Sequence, residues 1–268
     1  MLNRQDEEDI KRVAHLAADA ARLETLKSFR KTNLQTEDKG EGHFDPVTVA
    51  DRAAEQVIRA ILAAERPNDG IIGEEFGTTE GSSGLTWVLD PIDGTRGYIS
   101  GTPTWGTLIS VGNDEGPIFG LIDQPYIGER FFGGSGGAGM TGPNGATDLK
   151  VSSQTNLSDA LLMSTFPEIG SDIERRAFLA VEQQVKLTRY GMDCYGYALL
   201  ASGTVDLVIE AGLAAYDIHA GVAVIEAAGG IVTTWDGKPA HNGGRILAAA
   251  TPELHAAALG LLQAALDD

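Results

Sequence analysis

The stretch TWVLDPIDGTRGY, residues 86–98, does most to limit what this chain can fold into. An apolar run of strand type ends on Asp90, and a proline turn brings a second acid, Asp93, three positions on. A turn can use one aspartate, but two so close repel each other unless a cation lies between them. Pro91 restricts the backbone, so Asp90, the Ile92 carbonyl and Asp93 can all face one point. Two other places repeat the pattern. GIIG at 70–73 runs into Glu74 and Glu75, and Asp217 opens the helical stretch YDIHAGVAVIEAAGG. Strand ends and helix starts are where α/β folds gather their sites.

The rest of the chain supplies alternating elements. Ile10, Val13, Leu16, Ala17, Ala20 and Leu23 fall at helical spacing and predict an amphipathic helix over 6–30. The polar run at 31–46 reads as a loop, and a second helix is expected over 48–65, ending before Pro67. Strands are expected at 70–75 and 85–90, then a meander at 105–113, 116–125 and 128–134. GGSGGAG at 133–139 reads as a flexible turn rather than a phosphate cradle, because no Lys-Ser/Thr pair follows it. Further on, strands are expected at 160–165, 205–210 and 230–235. Helices are expected at 171–184, 195–202, 215–230 and from Pro252 onward. Interleaving of this kind predicts an α/β fold, a layered sandwich. With no repeat or linker, the 268 residues read as a single domain with an N-terminal half, 1–145, and a C-terminal half, 146–268.

Composition narrows the partners. The formal net charge is -18, which disfavours nucleic acid or an anionic membrane. A small anionic substrate is repelled too, unless bound cations reverse the sign locally. The polar start lacks the apolar segment of a signal peptide, and no run reaches the ~18 apolar residues of a membrane span. Cys194 is the only cysteine, so an intrachain disulfide is excluded. A cytoplasmic protein is expected.

Each acid has a plain alternative role. Asp217 alone could be a helix N-cap, Asp93-Gly94 a common turn, and Glu74-Glu75 a solvated strand end. Together, with Thr95 beside Asp93, they point to a site for hard divalent cations such as Mg²⁺, which take oxygen ligands. Competing motifs fail on spacing. The acids are three apart, not two as in Asp-x-Asp-x-Thr phosphatases. DPIDGTRGYISG lacks the alternate ligands of an EF loop, and neither His-Glu-x-x-His nor Gly-x-Ser-x-Gly occurs. The histidines are scattered, and His219, two residues beyond Asp217, reads as core or surface rather than ligand.

GEE at 73–75, WVLDPIDGT at 87–95 and YDIHAGVAVIEAAGG at 216–230 closely resemble the signatures of the inositol monophosphatase superfamily, and DPVTVAD at 45–51 is similar to its upstream motif. The resemblance implies an αβαβα sandwich of the inositol monophosphatase/fructose-1,6-bisphosphatase type. It implies a homodimer and Mg²⁺-dependent hydrolysis of a small phosphate monoester, with two or three Mg²⁺ per site and Mn²⁺ as a substitute. It assigns Glu74, Asp90 and the Ile92 carbonyl to one metal, and Asp90, Asp93 and Asp217 to another. Thr95, polarised by Asp51, would help Glu74 activate water. The backbone N–H groups of Gly94 and Thr95 would receive the phosphate at the start of a short helix. Two metals can lower the water's pKa, neutralise the phosphate and stabilise the leaving oxygen, with no covalent nucleophile needed.

Substrate is read from later stretches. TRGYISGTPTWGTLI at 95–109, RYGMDCYGYALLASGTVDLVIEAG at 189–212 and NGGRILAAATPELH at 242–255 are more similar to the histidinol-phosphate phosphatase branch, in histidine biosynthesis, than to the inositol branch. Histidinol phosphate carries an ammonium and an imidazole beside its phosphate. A site for it wants carboxylates near the metals that are not ligands, and Asp193 and Glu210 are the candidates, with Arg189 as a further substrate contact. Asp193 could instead be a helix N-cap and Glu210 a solvated strand end. The resemblance departs in two places. Lys39 alone represents the basic residue of the upstream loop, and Tyr216 stands where many relatives carry Trp. The alternatives are an inositol-1-phosphate or broad sugar-phosphate phosphatase, and a non-catalytic metal- or phosphate-binding regulator. The intact set of acids with Thr95 argues against the regulator.

Overall fold

The computed structural model describes residues 4–31, 36–38 and 46–267. Two packed helices, α1 (Arg4–Ser28) and α2 (Val49–Glu65), form the first layer, with a short antiparallel pair, β1 (Thr36–Asp38) and β2 (Pro46–Thr48), between them in sequence. Behind them lies an eight-stranded sheet made of β3 (Gly70–Gly73), β4 (Gly77–Thr79), β5 (Thr86–Asp93), β6 (Gly106–Asn113), β7 (Gly116–Gln124), β8 (Glu129–Gly134), β9 (Gly137–Gly142) and β10 (Gly145–Asp148). Its order is β10-β9-β8-β7-β6-β5-β3-β4, and only β3 and β5 run parallel. A single turn and a half of helix, α3 (Thr95–Ser100), follows β5.

The second half builds a five-stranded sheet from β11 (Leu161–Ser164), β12 (Leu187–Tyr190), β13 (Leu207–Leu213), β14 (Ile231–Thr234) and β15 (Gly244–Ala249), in the order β12-β11-β13-β15-β14. Helices α5 (Cys194–Ala201) and α6 (Ala215–Ala227) lie between the two sheets, and α4 (Asp172–Glu182) packs with α7 (Pro252–Asp267) on the far side. The layers are therefore αβαβα, as expected.

Strand alternation sets this order. Ile109, Val111 and Leu121 point to α1 and α2, while Leu108, Ile122 and Phe131 point the other way, onto Tyr197, Ile218 and Val224. In the second sheet Val208, Ile246 and Ala248 face that same middle layer, and Leu207, Ile209 and Leu247 face Phe178 and Leu254. Middle helices are covered on both sides and must be apolar nearly all round. Ile218, Ala220, Val222, Val224 and Ile225 make α6 so.

Several expectations need correction. GGSGGAG does hold a turn, as expected, but only at its centre, because Gly134 pairs with Gly137 and its flanks belong to β8 and β9. Strand β15, inside NGGRILAAATPELH, was not expected as a strand, and neither was β12. The strand expected at 70–75 ends at Gly73, which leaves Glu74 and Glu75 in a turn.

Candidate metal and substrate site

Three elements deliver the acids. Between Asp90 and Asp93 the pairing of β5 with β6 loses its register, so both aspartates turn to the same side of the strand end. The distortion is held by bonds: Thr107 Oγ1 donates to the Pro91 carbonyl at 2.8 Å, and the Ile92 N–H to Asp90 Oδ1 at 3.0 Å. Asp217 comes from the first turn of α6, where its Oδ2 accepts the Ala214 N–H at 2.7 Å. It is the third helical residue rather than the N-cap. Carboxylate oxygens of Asp90, Asp93 and Asp217 lie within 4.8 Å of one another. Glu74 follows β3, the parallel neighbour of β5, and its carboxyl lies in hydrogen-bonding range of Asp90.

Electrostatics shows what this cluster demands. Burial, then Glu74, Asp93 and Asp217, push the Asp90 carboxyl well above the usual carboxylate range. Burial, then Asp193 and Asp217, do the same to Asp93, although the Cys194 N–H donates to its Oδ2 at 2.6 Å. All-oxygen donors that cannot ionise together without a counter-charge fit a hard divalent cation.

Glu55, unmarked by any motif, anchors the Glu74 turn. It is fully buried on α2 and accepts the Glu75 N–H at 2.7 Å and the Phe76 N–H at 3.2 Å, while Arg59 Nε donates to it at 2.7 Å. Gly73 must be glycine here, since a Cβ would stand 2.0 Å from Glu55 Oε1. A signal existed. Glu55 falls within the buried stripe Asp51, Ala54, Ile58, Leu62, where a carboxylate needs a reason.

Asp51 makes no hydrogen bond to Thr95. Its Oδ2 accepts the Thr48 N–H at 2.9 Å and the Thr48 hydroxyl at 2.5 Å, forming the capping box of α2. Its Oδ1 is buried and has no hydrogen-bond partner among the described residues, and burial raises the carboxyl to about 7. The Thr95 hydroxyl instead donates to the Ile92 carbonyl at 3.1 Å. Gly94, at φ 85°, is the N-cap of α3, and its carbonyl accepts the Tyr98 N–H at 3.0 Å.

Asp193 and Glu210 both open onto the cleft beside the cluster. This hollow of about 250 Å³ is lined also by Asp93, Asp217, Tyr197 and Phe166. Asp193 occupies the N-cap position of α5 but its side chain makes no capping bond. Its backbone takes φ 46°, a strained value for a non-glycine residue. Its carboxylate lies against Gly94, where a Cβ would meet Oδ2 at 3.0 Å. Burial raises it to about 6, while Arg96 and the nearby Thr104 hydroxyl act the other way. Glu210 is buried, not solvated. Thr165 donates to its Oε1 through N–H at 2.6 Å and hydroxyl at 2.9 Å, and burial lifts its carboxyl to about 8. Arg96 stacks over the Phe166 ring at 4.9 Å, at the rim.

Arg189, Tyr216 and His219 are not among the residues that line the cleft. Arg189 is exposed on the sheet-edge strand β12, and Lys39 lies outside the described residues. His219 is a core residue, its Nδ1 2.8 Å from Ser110 Oγ, and burial lowers it to about 4. A larger hollow, about 740 Å³, sits between α1 and the β8–β9 hairpin. The one cluster of three side chains able to ligate a metal among the described residues borders the smaller cleft instead, which Asp93 and Asp217 line.

Layer order and carboxylate cluster together define a five-layer α/β sandwich with an acidic cluster at a strand end that could hold a metal ion. The pattern of the inositol monophosphatase family matches residues 6–267, and the chain belongs to that family of phosphatases. It is 46% identical over 228 residues to the chloroplastic bifunctional phosphatase IMPL2 of Arabidopsis thaliana, covering 84% of this chain and 64% of that protein. The chain thus spans less than two thirds of that relative's length. It is 38% identical over 261 residues to a histidinol-phosphatase of Streptomyces coelicolor, covering 94% of this chain and 96% of that one. An inositol monophosphatase from Zymomonas mobilis superposes with a TM-score of 0.85 at 37% identity, over 98% of this chain and 100% of that one. The fold is of the inositol monophosphatase/fructose-1,6-bisphosphatase type.

Proposed function

We propose that the protein hydrolyses L-histidinol phosphate to L-histidinol and inorganic phosphate with Mg²⁺ held by Glu74, Asp90, the Ile92 carbonyl, Asp93 and Asp217. The observation that carries the substrate is the pair Asp193 and Glu210. Two carboxyls face the cleft next to the metal cluster yet lie outside it, and burial raises both. A cationic substrate body relieves that cost, since an ammonium or imidazolium favours the ionised carboxylate. The likeness to histidinol-phosphatases points the same way.

Mg²⁺ supplies charge neutralisation of the phosphate and a lowered pKa of water. The chain does the rest. Glu74 takes the proton of the attacking water, Thr95 orients that water, and the N–H groups of Gly94 and Thr95 receive phosphate oxygens. Water forms the new P–O bond, the ester P–O bond breaks, and the departing alkoxide takes a proton. Asp51 holds the start of α2 through its capping box with Thr48.

A second reading, inositol 1-phosphate, draws on Glu210, because a carboxyl that keeps its proton to about 8 can also read a neutral hydroxyl. Phosphate release from histidinol phosphate, inositol 1-phosphate and glycerol phosphate separates the two, each with Mg²⁺ and with EDTA. The reading expects the highest kcat/KM on histidinol phosphate and none with EDTA. Preference for inositol 1-phosphate would overturn it.

A further inference from the structure

Tyr197 is not used by any step above. Its side chain is 3% exposed, it lines the cleft, and its hydroxyl is buried with no hydrogen-bond partner among the described residues. A buried phenol of this kind costs stability unless something completes it, and such exceptions mark functional positions. Its ring rests on Gly221, where a Cβ would come within 3.5 Å of Cγ. Gly221 lies one turn beyond Asp217 on the same face of α6. The carboxyls acting on the hydroxyl are Glu210 first, then Asp93 and Asp217, and burial keeps the phenol protonated, a donor at any working pH.

Position then narrows the acceptor. A phosphate must lie at Asp90, Asp93 and Asp217, where the cation fits. The organic part of the ester must extend toward Glu210 and Asp193, the other acids of the same cleft. Tyr197 lines that cleft too, and the carboxyls that act on its hydroxyl come from both groups, Glu210 from one and Asp93 and Asp217 from the other. We propose that the Tyr197 hydroxyl donates a hydrogen bond to the ester oxygen of a bound phosphate monoester and stabilises the leaving alkoxide as the P–O bond breaks. The electron pair of that bond goes to the ester oxygen, and the proton it finally gains comes from the water that attacked phosphorus. Tyr197 keeps its own proton throughout. The inference rests on the phosphatase reading but not on which alcohol is released.

The test compares Tyr197→Phe with wild type on glycerol 2-phosphate, whose alkoxide leaves poorly, and on 4-nitrophenyl phosphate, whose phenolate leaves easily. Losing a hydrogen bond to a developing charge is expected to lower kcat on the alkyl ester ~10- to 100-fold. The aryl ester is expected to lose at least fivefold less, and the melting temperature to stay level or rise, because an uncompensated buried hydroxyl is removed. Equal losses on both esters, no loss on either, or a melting temperature several degrees lower would overturn the inference and leave the phosphatase reading intact. A wild-type protein that hydrolyses neither ester with Mg²⁺ would overturn both.

Discussion

Replacing Glu55 by alanine tests whether a buried carboxylate outside the metal cluster holds that cluster together. Glu55 accepts two backbone N–H groups of the Glu74 turn, at 2.7 and 3.2 Å, and balances Arg59 at 2.7 Å. The Arg59 side chain is itself only 17% exposed. Hydrogen bonds to an ionised group contribute ~1.5–3 kcal/mol each, and removing one partner of a buried ion pair costs ~3–5 kcal/mol. These terms overlap, so a total of ~3–5 kcal/mol is expected, which lowers the melting temperature by on the order of 10 °C in a chain of this size. The functional effect is separate. With the turn released, Glu74 no longer sits beside Asp90, and the Mg²⁺ concentration for half-maximal activity should rise at least ~10-fold. Glu55→Gln keeps one acceptor and should fall between. Calorimetry and a Mg²⁺ titration of activity read the two effects. A variant melting within ~2 °C of wild type, with an unchanged Mg²⁺ requirement, would show that the turn holds itself and refute the reasoning.

Other outcomes follow from the same geometry. Asp90→Asn and Asp217→Asn should each lose at least ~100-fold in kcat, measured by phosphate release, because each removes a ligand from a shared cluster. Thr95→Ala should lower kcat roughly 10²- to 10⁴-fold with little change in KM, and a loss within twofold would make its bond to the Ile92 carbonyl a local turn contact and nothing more. Asp193→Ala should cut kcat/KM for histidinol phosphate at least ~30-fold and that for glycerol phosphate far less, whereas equal losses would remove the support for a cationic substrate. Glu210 gives a pH test in metal-free protein. Its folded carboxyl holds a proton to about 8 and its unfolded one to the ordinary 4.5, so its contribution is whole below 4.5 and is lost as pH rises toward 8. The loss is on the order of 4 kcal/mol by pH 8, and Glu210→Gln should flatten that part of the stability profile in denaturant titrations.

Much of the site was legible because its local signals are strong. Acids closing apolar runs at Asp90, Asp93 and Glu74, and an acid opening an apolar helix at Asp217, are short-range patterns that survive any tertiary setting. Asp51 was not legible, because its motif context says nothing about which atom its carboxylate will meet. The nearest donors turned out to be its own helix's Thr48 N–H and hydroxyl. Arg189 was misplaced for a related reason. Strand β12 lies at the edge of its sheet, and nothing in its four residues reveals an edge. Glu210 could also be read as a solvated strand end, and only the Thr165 N–H and hydroxyl, from a neighbouring strand end, show why a buried carboxylate is tolerated there.

By itself the sequence determined the alternation of helices and strands, the acidic strand ends and the need for a cation, since periodicity and like-charge crowding act over a few residues. Tertiary structure alone decided which acids meet. Asp217 reaches Asp90 and Asp93 because α6 is sandwiched between two sheets, more than a hundred residues along the chain from β5. It also decided that Glu55 anchors the Glu74 turn and that Tyr197, which lines the cleft, keeps a buried hydroxyl with no partner among the described residues. Those facts depend on how close two distant segments come and on what fills the space between them, and no local pattern encodes that distance.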